Sequence, residues 1–120
     1  MRFGILVSAV MASVMIGRVC PARAEMSARE WTSIYRAANS RDREIIERIV
    51  DATHNGMEWY AVRSKTNLYC PPPAIALTGN QLMDMLRRSV DKSKMVAESP
   101  WGLALLMSLE AAFPCNQEKR

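Results

Sequence analysis

Three cysteines (Cys20, Cys70 and Cys115) and a single histidine, His54, are the residues in this sequence best suited to nucleophilic, redox or metal chemistry. A thiol nucleophile needs a base beside it, and a zinc ion needs three or four Cys, His or carboxylate ligands at a recognisable spacing. Neither set is visible. Asp51, His54 and Glu58 fall on one helical face at i, i+3 and i+7, which has the residue types for acid-base or metal work. A solvated helix face carrying a local ion pair is the far commoner use of such a triplet, and is the reading adopted here. No phosphate-binding glycine loop, nucleophile elbow or paired catalytic carboxylates occur. The expectation is a non-enzymatic chain with no cofactor and no bound metal.

What the cysteines do instead depends on where the chain resides. Arg2 and the apolar stretch "FGILVSAVMASVMIG" lead to Ala22-Arg23-Ala24, a small-x-small cleavage site. This pattern predicts a secretory signal peptide over residues 1–24, cut after Ala24, and a single domain over residues 25–120. The apolar run is short for a membrane span and is closed by Arg18 and Arg23, so no span is expected after cleavage. Cys20 leaves with the leader. So do Arg2, Arg18 and Arg23, and the formal charge falls from +4 to +1 as 16 basic residues become 13 against 12 acidic ones. A balance that close to neutral argues against a nucleic-acid partner. In an exported chain this small, the remaining pair, Cys70 and Cys115, is most economically a disulfide, because the periplasm or exterior is oxidising. The core of such a domain is thin, and a bond closing a loop of about 45 residues contributes about 4 kcal/mol in the chain-entropy account.

The elements that position these residues read as helices. Ser27 and Glu30 have capping-box spacing ahead of Trp31, Ile34, Tyr35 and Ala38, predicting a first helix that ends near Asn39. A stripe through Ile45, Ile46, Ile49, Val50, Thr53, Met57, Tyr60 and Ala61 predicts a long second helix over about 41–64, running through Asn55-Gly56 because the stripe keeps phase there. Gly56 is then a place where another backbone can approach closely. "TNLYCPPP" is a stiff extended connector. Thr78 and Gln81 make a second capping box for a helix ending near Lys94, with Met83 off its apolar stripe and expected at the surface. Ser99 as N-cap and Pro100 as first helical residue open a last helix, "WGLALLMSLEAAF", apolar nearly all round and stopped by Pro114. The fold class is all-α, a small bundle of four helices or so held by one disulfide. The basic run Arg87, Arg88, Lys92 and Lys94 is interleaved with Asp84, Asp91 and Glu98, which makes it a charged outer face first and a surface for an acidic partner second. Trp31, Trp59 and Trp101 are expected as core or interface anchors.

The stretch from Leu68 to Cys115 resembles the core signature of the Rap/Tai family of type VI secretion immunity proteins. The matching residues are Tyr69, Cys70 and Pro72 in an aromatic-Cys-x-Pro start, Gln81-Leu82 opening a helix, Pro100 ahead of the last helix, and Phe113-Pro114-Cys115 at its end. The resemblance implies a periplasmic, helical, often dimeric protein that binds a peptidoglycan amidase effector and plugs its active-site cleft. Partner contacts are then expected on two loops, around Pro72, Pro73 and Thr78 and around Lys92, Lys94 and Glu98. A reading from another class is a periplasmic acid-stress chaperone of the Hde type, or another non-enzymatic periplasmic binding protein, which is also small, helical and built on one disulfide.

Overall fold

The computed structural model describes residues 25–115, so the leader predicted over 1–24 and its cleavage after Ala24 lie outside the described residues. Five helices follow in order: α1 (Ala28–Ala37), α2 (Ser40–Ser64), α3 (Gly79–Lys92), α4 (Lys94–Glu98) and α5 (Trp101–Ala112). Among the described residues there is no β-strand, only an isolated bridge between Ser27 and Pro100. The all-α bundle read from the sequence is thus present with one helix more. Both capping boxes form as their spacing requires, Ser27 with Glu30 on α1 and Thr78 with Gln81 on α3. Each satisfies two backbone donors that a helix start otherwise leaves bare.

Helix α3 is the hub. Leu82, Met83 and Leu86 are fully buried, and they meet Ile46 and Val50 from α2, Tyr35 from α1, Val96 from α4, and Ala104, Leu105 and Leu109 from α5. Met83 is therefore a core residue, not the surface one its place beside the stripe predicted. Elements on several sides of α3 widen its buried arc beyond one amphipathic stripe. The last helix is buried along Ala104, Leu105, Ser108 and Leu109, but Leu103 on its other side is half exposed, so its all-round apolarity overstates its burial. Ser108 is buried at no net loss because its Oγ donates to the Ala104 carbonyl at 2.7 Å.

The extra helix lies where one helix end and one helix start were expected. Ser93 caps the C-terminus of α3 with its N–H and the N-terminus of α4 with its side chain, which accepts from the Val96 N–H. Ser99 does not cap α5 as predicted. Its Oγ donates to the Met95 carbonyl at 2.8 Å, closing α4 instead. Pro100, expected as the first residue of α5, precedes it as the N-cap, with no side-chain hydrogen bond. The start of α5 is held instead by the residues ahead of α1. Trp101 N–H donates to the Met26 carbonyl at 3.0 Å, Ala28 N–H donates to the Ser99 carbonyl at 2.9 Å, and Gly102 N–H donates to the Glu25 carboxylate at 3.3 Å. These bonds set Trp31 flat on Trp101, with ring centroids 4.5 Å apart and planes 10° from parallel.

Arg43 of α2 joins α1 to α2. Its guanidinium donates to the carbonyls of Tyr35 and Arg36 at the end of α1 and lies 5.5 Å from the centre of the Tyr35 ring. The Tyr35 carbonyl also accepts from the Ala38 N–H at 3.4 Å, and a cation at the end of a helix suits the helix dipole. At its other end α2 terminates on Lys65, which takes the left-handed conformation (φ 54°) and donates to the Ala61 and Val62 carbonyls. The chain turns back there, bringing Leu68 and the Tyr69 ring onto the core.

The glycine that admits a close neighbour is Gly79, not Gly56. A Cβ at Gly56 meets no atom within 4 Å, whereas one at Gly79 falls 2.3 Å from the Glu47 carbonyl oxygen of α2. Alanine is otherwise the better helix residue, by about 1 kcal/mol in a helix interior. At this first position the clash with fixed backbone wins, so Gly79→Ala is expected to destabilise the fold by about 1–3 kcal/mol in denaturant titration.

Cys70 and Cys115 are joined as a disulfide, with Cα atoms 4.9 Å apart and a sequence separation of 45. Beside it the Cys70 N–H donates to the Phe113 carbonyl at 2.8 Å, so the proline-braced connector is tied to the end of α5 twice. Replacing both cysteines by serine is expected to lower the unfolding free energy by about 4 kcal/mol in urea titration, with a steeper slope because the unfolded chain is no longer crosslinked.

Candidate partner-binding surface

The two loops expected to touch a partner lie at opposite ends of α3. Thr78 precedes its first residue and Lys92 is its last, and at 1.5 Å per residue the two are about 20 Å apart. Pro72 and Pro73 are exposed on the connector just after Cys70. Thr78 is exposed too, but its side chain is engaged in its own capping box. Lys92 is exposed, and Lys94 is paired loosely with Glu98 at 3.8 Å, one turn along α4. The structure does not gather these six residues into one site.

What surrounds each loop differs in sign. Beside Thr78 and Leu77, a groove runs along α2 past Glu44, Glu47 and Asp51, with Arg48 the one cation. Arg48 is neutralised by Glu44 at 2.7 Å. At the other end, Lys92 and Lys94 share a groove with Arg29 and Arg36 of α1, and Asp91 is its one carboxylate, held by Arg36 at 2.9 Å. Sequence reasoning missed the contribution of α1, because Arg29 and Arg36 join the lysines only through the fold. Of the basic run, Arg87 faces Asp84 at 3.6 Å and its Nε is buried without a partner, so it belongs to the packed surface and not to the groove. The molecule thus presents an acidic groove and a basic groove about 20 Å apart.

The Asp51, His54, Glu58 triplet is not the solvated face expected of it. His54 is buried on the inner side of α2, its ring centroid 5.9 Å from that of Tyr69. Its Nε2 approaches Glu58 at 3.5 Å without making a hydrogen bond, and Asp51 lines the acidic groove instead. The connector that folds back after Lys65 covers this face of α2, and nothing in the local spacing announces it. Among the described residues, no three His, Cys, Asp or Glu side chains converge to hold a metal ion, and no helix is long and apolar enough to cross a membrane.

Two buried tyrosines flank these features. Burial, with the 2.6 Å hydrogen bond to Glu47, pushes the Tyr35 hydroxyl up to about 12. Burial and the nearby Glu58 carboxylate do the same to Tyr69. Both protons are held more tightly in the folded chain than in the unfolded one, where tyrosine titrates near 10. Their contribution is therefore complete below about pH 10 and is lost as the pH rises to about 12. Stability is expected to fall over that interval by on the order of 1–2 kcal/mol per tyrosine. Denaturant titrations of the wild type and the Tyr35→Phe, Tyr69→Phe double variant check this: the variant should show the shallower decline.

No protein-family model matches the chain, and no curated protein and no solved structure matches it either.

Proposed function

We propose that this chain is a periplasmic immunity protein that binds a peptidoglycan amidase effector of a type VI secretion system and blocks its active-site cleft. The observation that carries this reading is the way the two ends of the Rap/Tai-like pattern are joined. Tyr69-Cys70-Pro71-Pro72 and Phe113-Pro114-Cys115 lie 45 residues apart in sequence, yet they share a disulfide and a backbone hydrogen bond from Cys70 to Phe113. Pattern and crosslink together support a module whose connector is fixed before any partner arrives. A rigid surface loses little conformational entropy on association, which is what a stoichiometric inhibitor requires.

The opposite charges of the two grooves fit the same reading. A cleft-plugging protein that touches its enzyme at both ends of α3 needs a basic patch facing Glu44, Glu47 and Asp51 and an acidic one facing Arg29, Lys92 and Lys94. Such complementarity speeds association and fixes the register of docking more than it deepens affinity.

The test is co-purification with the product of the adjacent gene, which this reading requires to be an amidase, followed by hydrolysis of purified peptidoglycan. The expected result is a stable complex and loss of amidase activity at one equivalent. Lys92→Glu with Lys94→Glu is expected to slow association at least tenfold at low salt and by less at high salt. Failure of the wild-type chain to bind that amidase would remove this function and leave the fold untouched.

A further inference from the structure

Where α3 runs beside the end of α5, it carries charge that nothing in the fold answers. Met85, Arg88 and Lys92 fall on one side of α3 at i, i+3 and i+7, and they form one wall of a groove of about 450 Å³. Ala111 and Ala112 of α5, with Phe113 after them, form the other. Among the described residues the lining holds two cations and no carboxylate. Arg88 donates its Nε to the Asp84 carbonyl at 3.2 Å, but neither it nor Lys92 takes part in any of the ion pairs among the described residues. The carboxylates of α3 are engaged elsewhere, Asp84 with Arg87 and Asp91 with Arg36. Like charges one helical turn apart repel, and an anion between them turns that repulsion into a shared attraction.

The rest of the groove is apolar or small. Met85 and Phe113 are half-buried, and the two alanines leave the trough between the helices open. Ser108 is the buried hydroxyl of the lining, and it is already spent on the Ala104 carbonyl at 2.7 Å. Ser89, the other hydroxyl, follows Arg88 on the charged wall. Such a surface suits an alkyl chain, which has no polar group to satisfy, better than a peptide backbone or a sugar. The Phe113 carbonyl accepts from the Cys70 N–H at 2.8 Å beside the Cys70–Cys115 bond, so this wall is fixed before a ligand arrives. We propose that the groove between α3 and α5 binds a single-chain anionic amphiphile, a long-chain carboxylate, with its alkyl chain along Met85, Ala111 and Phe113 and its head shared by Arg88 and Lys92. A guanidinium offers a carboxylate two parallel donors, and an ammonium adds a point charge beside it. The site stands independently of the inhibitor reading, since a chain with no affinity for any amidase still takes the amphiphile.

The test is isothermal titration of the full chain, purified with its disulfide intact, with dodecanoate below its micelle concentration. One equivalent is expected to bind saturably. Octanoate should bind at least tenfold more weakly because fewer methylenes are buried, and so should dodecanol, which lacks the charge, and acetate, which lacks the chain. Arg88→Gln removes a charge from an exposed position, and Ala111→Phe fills the trough without touching either cation. Each should leave the circular dichroism and melting behaviour of the free chain unchanged while weakening dodecanoate at least tenfold. Both residues lie outside the acidic and basic grooves, so loss of dodecanoate binding and loss of amidase binding are read separately. Absence of dodecanoate binding, dodecanol bound as tightly as dodecanoate, or indifference to both substitutions would each overturn the proposal. So would sedimentation of the chain with anionic phospholipid vesicles in the absence of any dodecanoate binding, which assigns the two cations to a bilayer surface.

Discussion

Among the described residues every other helix packs against α3, and the burial of Leu82, Met83 and Leu86 is the constraint from which the arrangement follows. A fourteen-residue helix surrounded on several sides cannot carry charge along its buried arc, and none of Asp84, Arg87, Arg88, Asp91 and Lys92 is buried. It also needs its neighbours close. The tightest approach is at its first residue, where only a glycine lets the Glu47 carbonyl of α2 come so near. With α3 held there, the connector has to return along the far end of α2, and the Cys70–Cys115 bond fastens it to α5. The hydrophobic hub and the crosslink thus act on different problems: one orders helices that are near in space, the other shortens the unfolded chain.

The parts of this fold visible in the sequence were those decided by neighbours three or four residues away. The two capping boxes, the unbroken course of α2 through Gly56 and the proline-rich connector depend on local backbone chemistry, and local chemistry is what a sequence displays. The pairing of Cys70 with Cys115 also followed, because only two cysteines remained once the leader was set aside. Residues whose placement depends on distant packing were misread. His54 and Met83 sit inside because elements far away in the chain cover them. Ser99 closes α4 rather than opening α5, since a five-residue helix is too short to leave its own periodic signal. The broad apolar stripe of α2 was read as one face, although Ile45 and Ile49 belong to a different side of the helix from Ile46 and Val50.

The candidate contact residues show the same division. Lys92 and Lys94 were recognisable as charged surface positions, but the groove they line is completed by Arg29 and Arg36 from α1, which no spacing rule connects to them. Thr78 was recognisable as a cap, and that role occupies its side chain. The surface that emerges has an acidic groove at one end of α3, a basic one at the other, and a largely apolar one against α5. These three features recruit three different chemistries, and a rigid bundle can present them at once without rearranging.

The disulfide also divides the molecule mechanically. The covalent loop between Cys70 and Cys115 encloses α3, α4 and α5, while α1 and α2 lie outside it. Tension applied at the two chain ends therefore runs through α1, α2 and the sulfur bridge and bypasses the hub helix. The unravelled contour is shorter by about 150 Å than that of the reduced chain, at about 3.4 Å per residue. A machine that grips and pulls this protein can strip away its first two helices, but it meets the remaining three as a knot of fixed size.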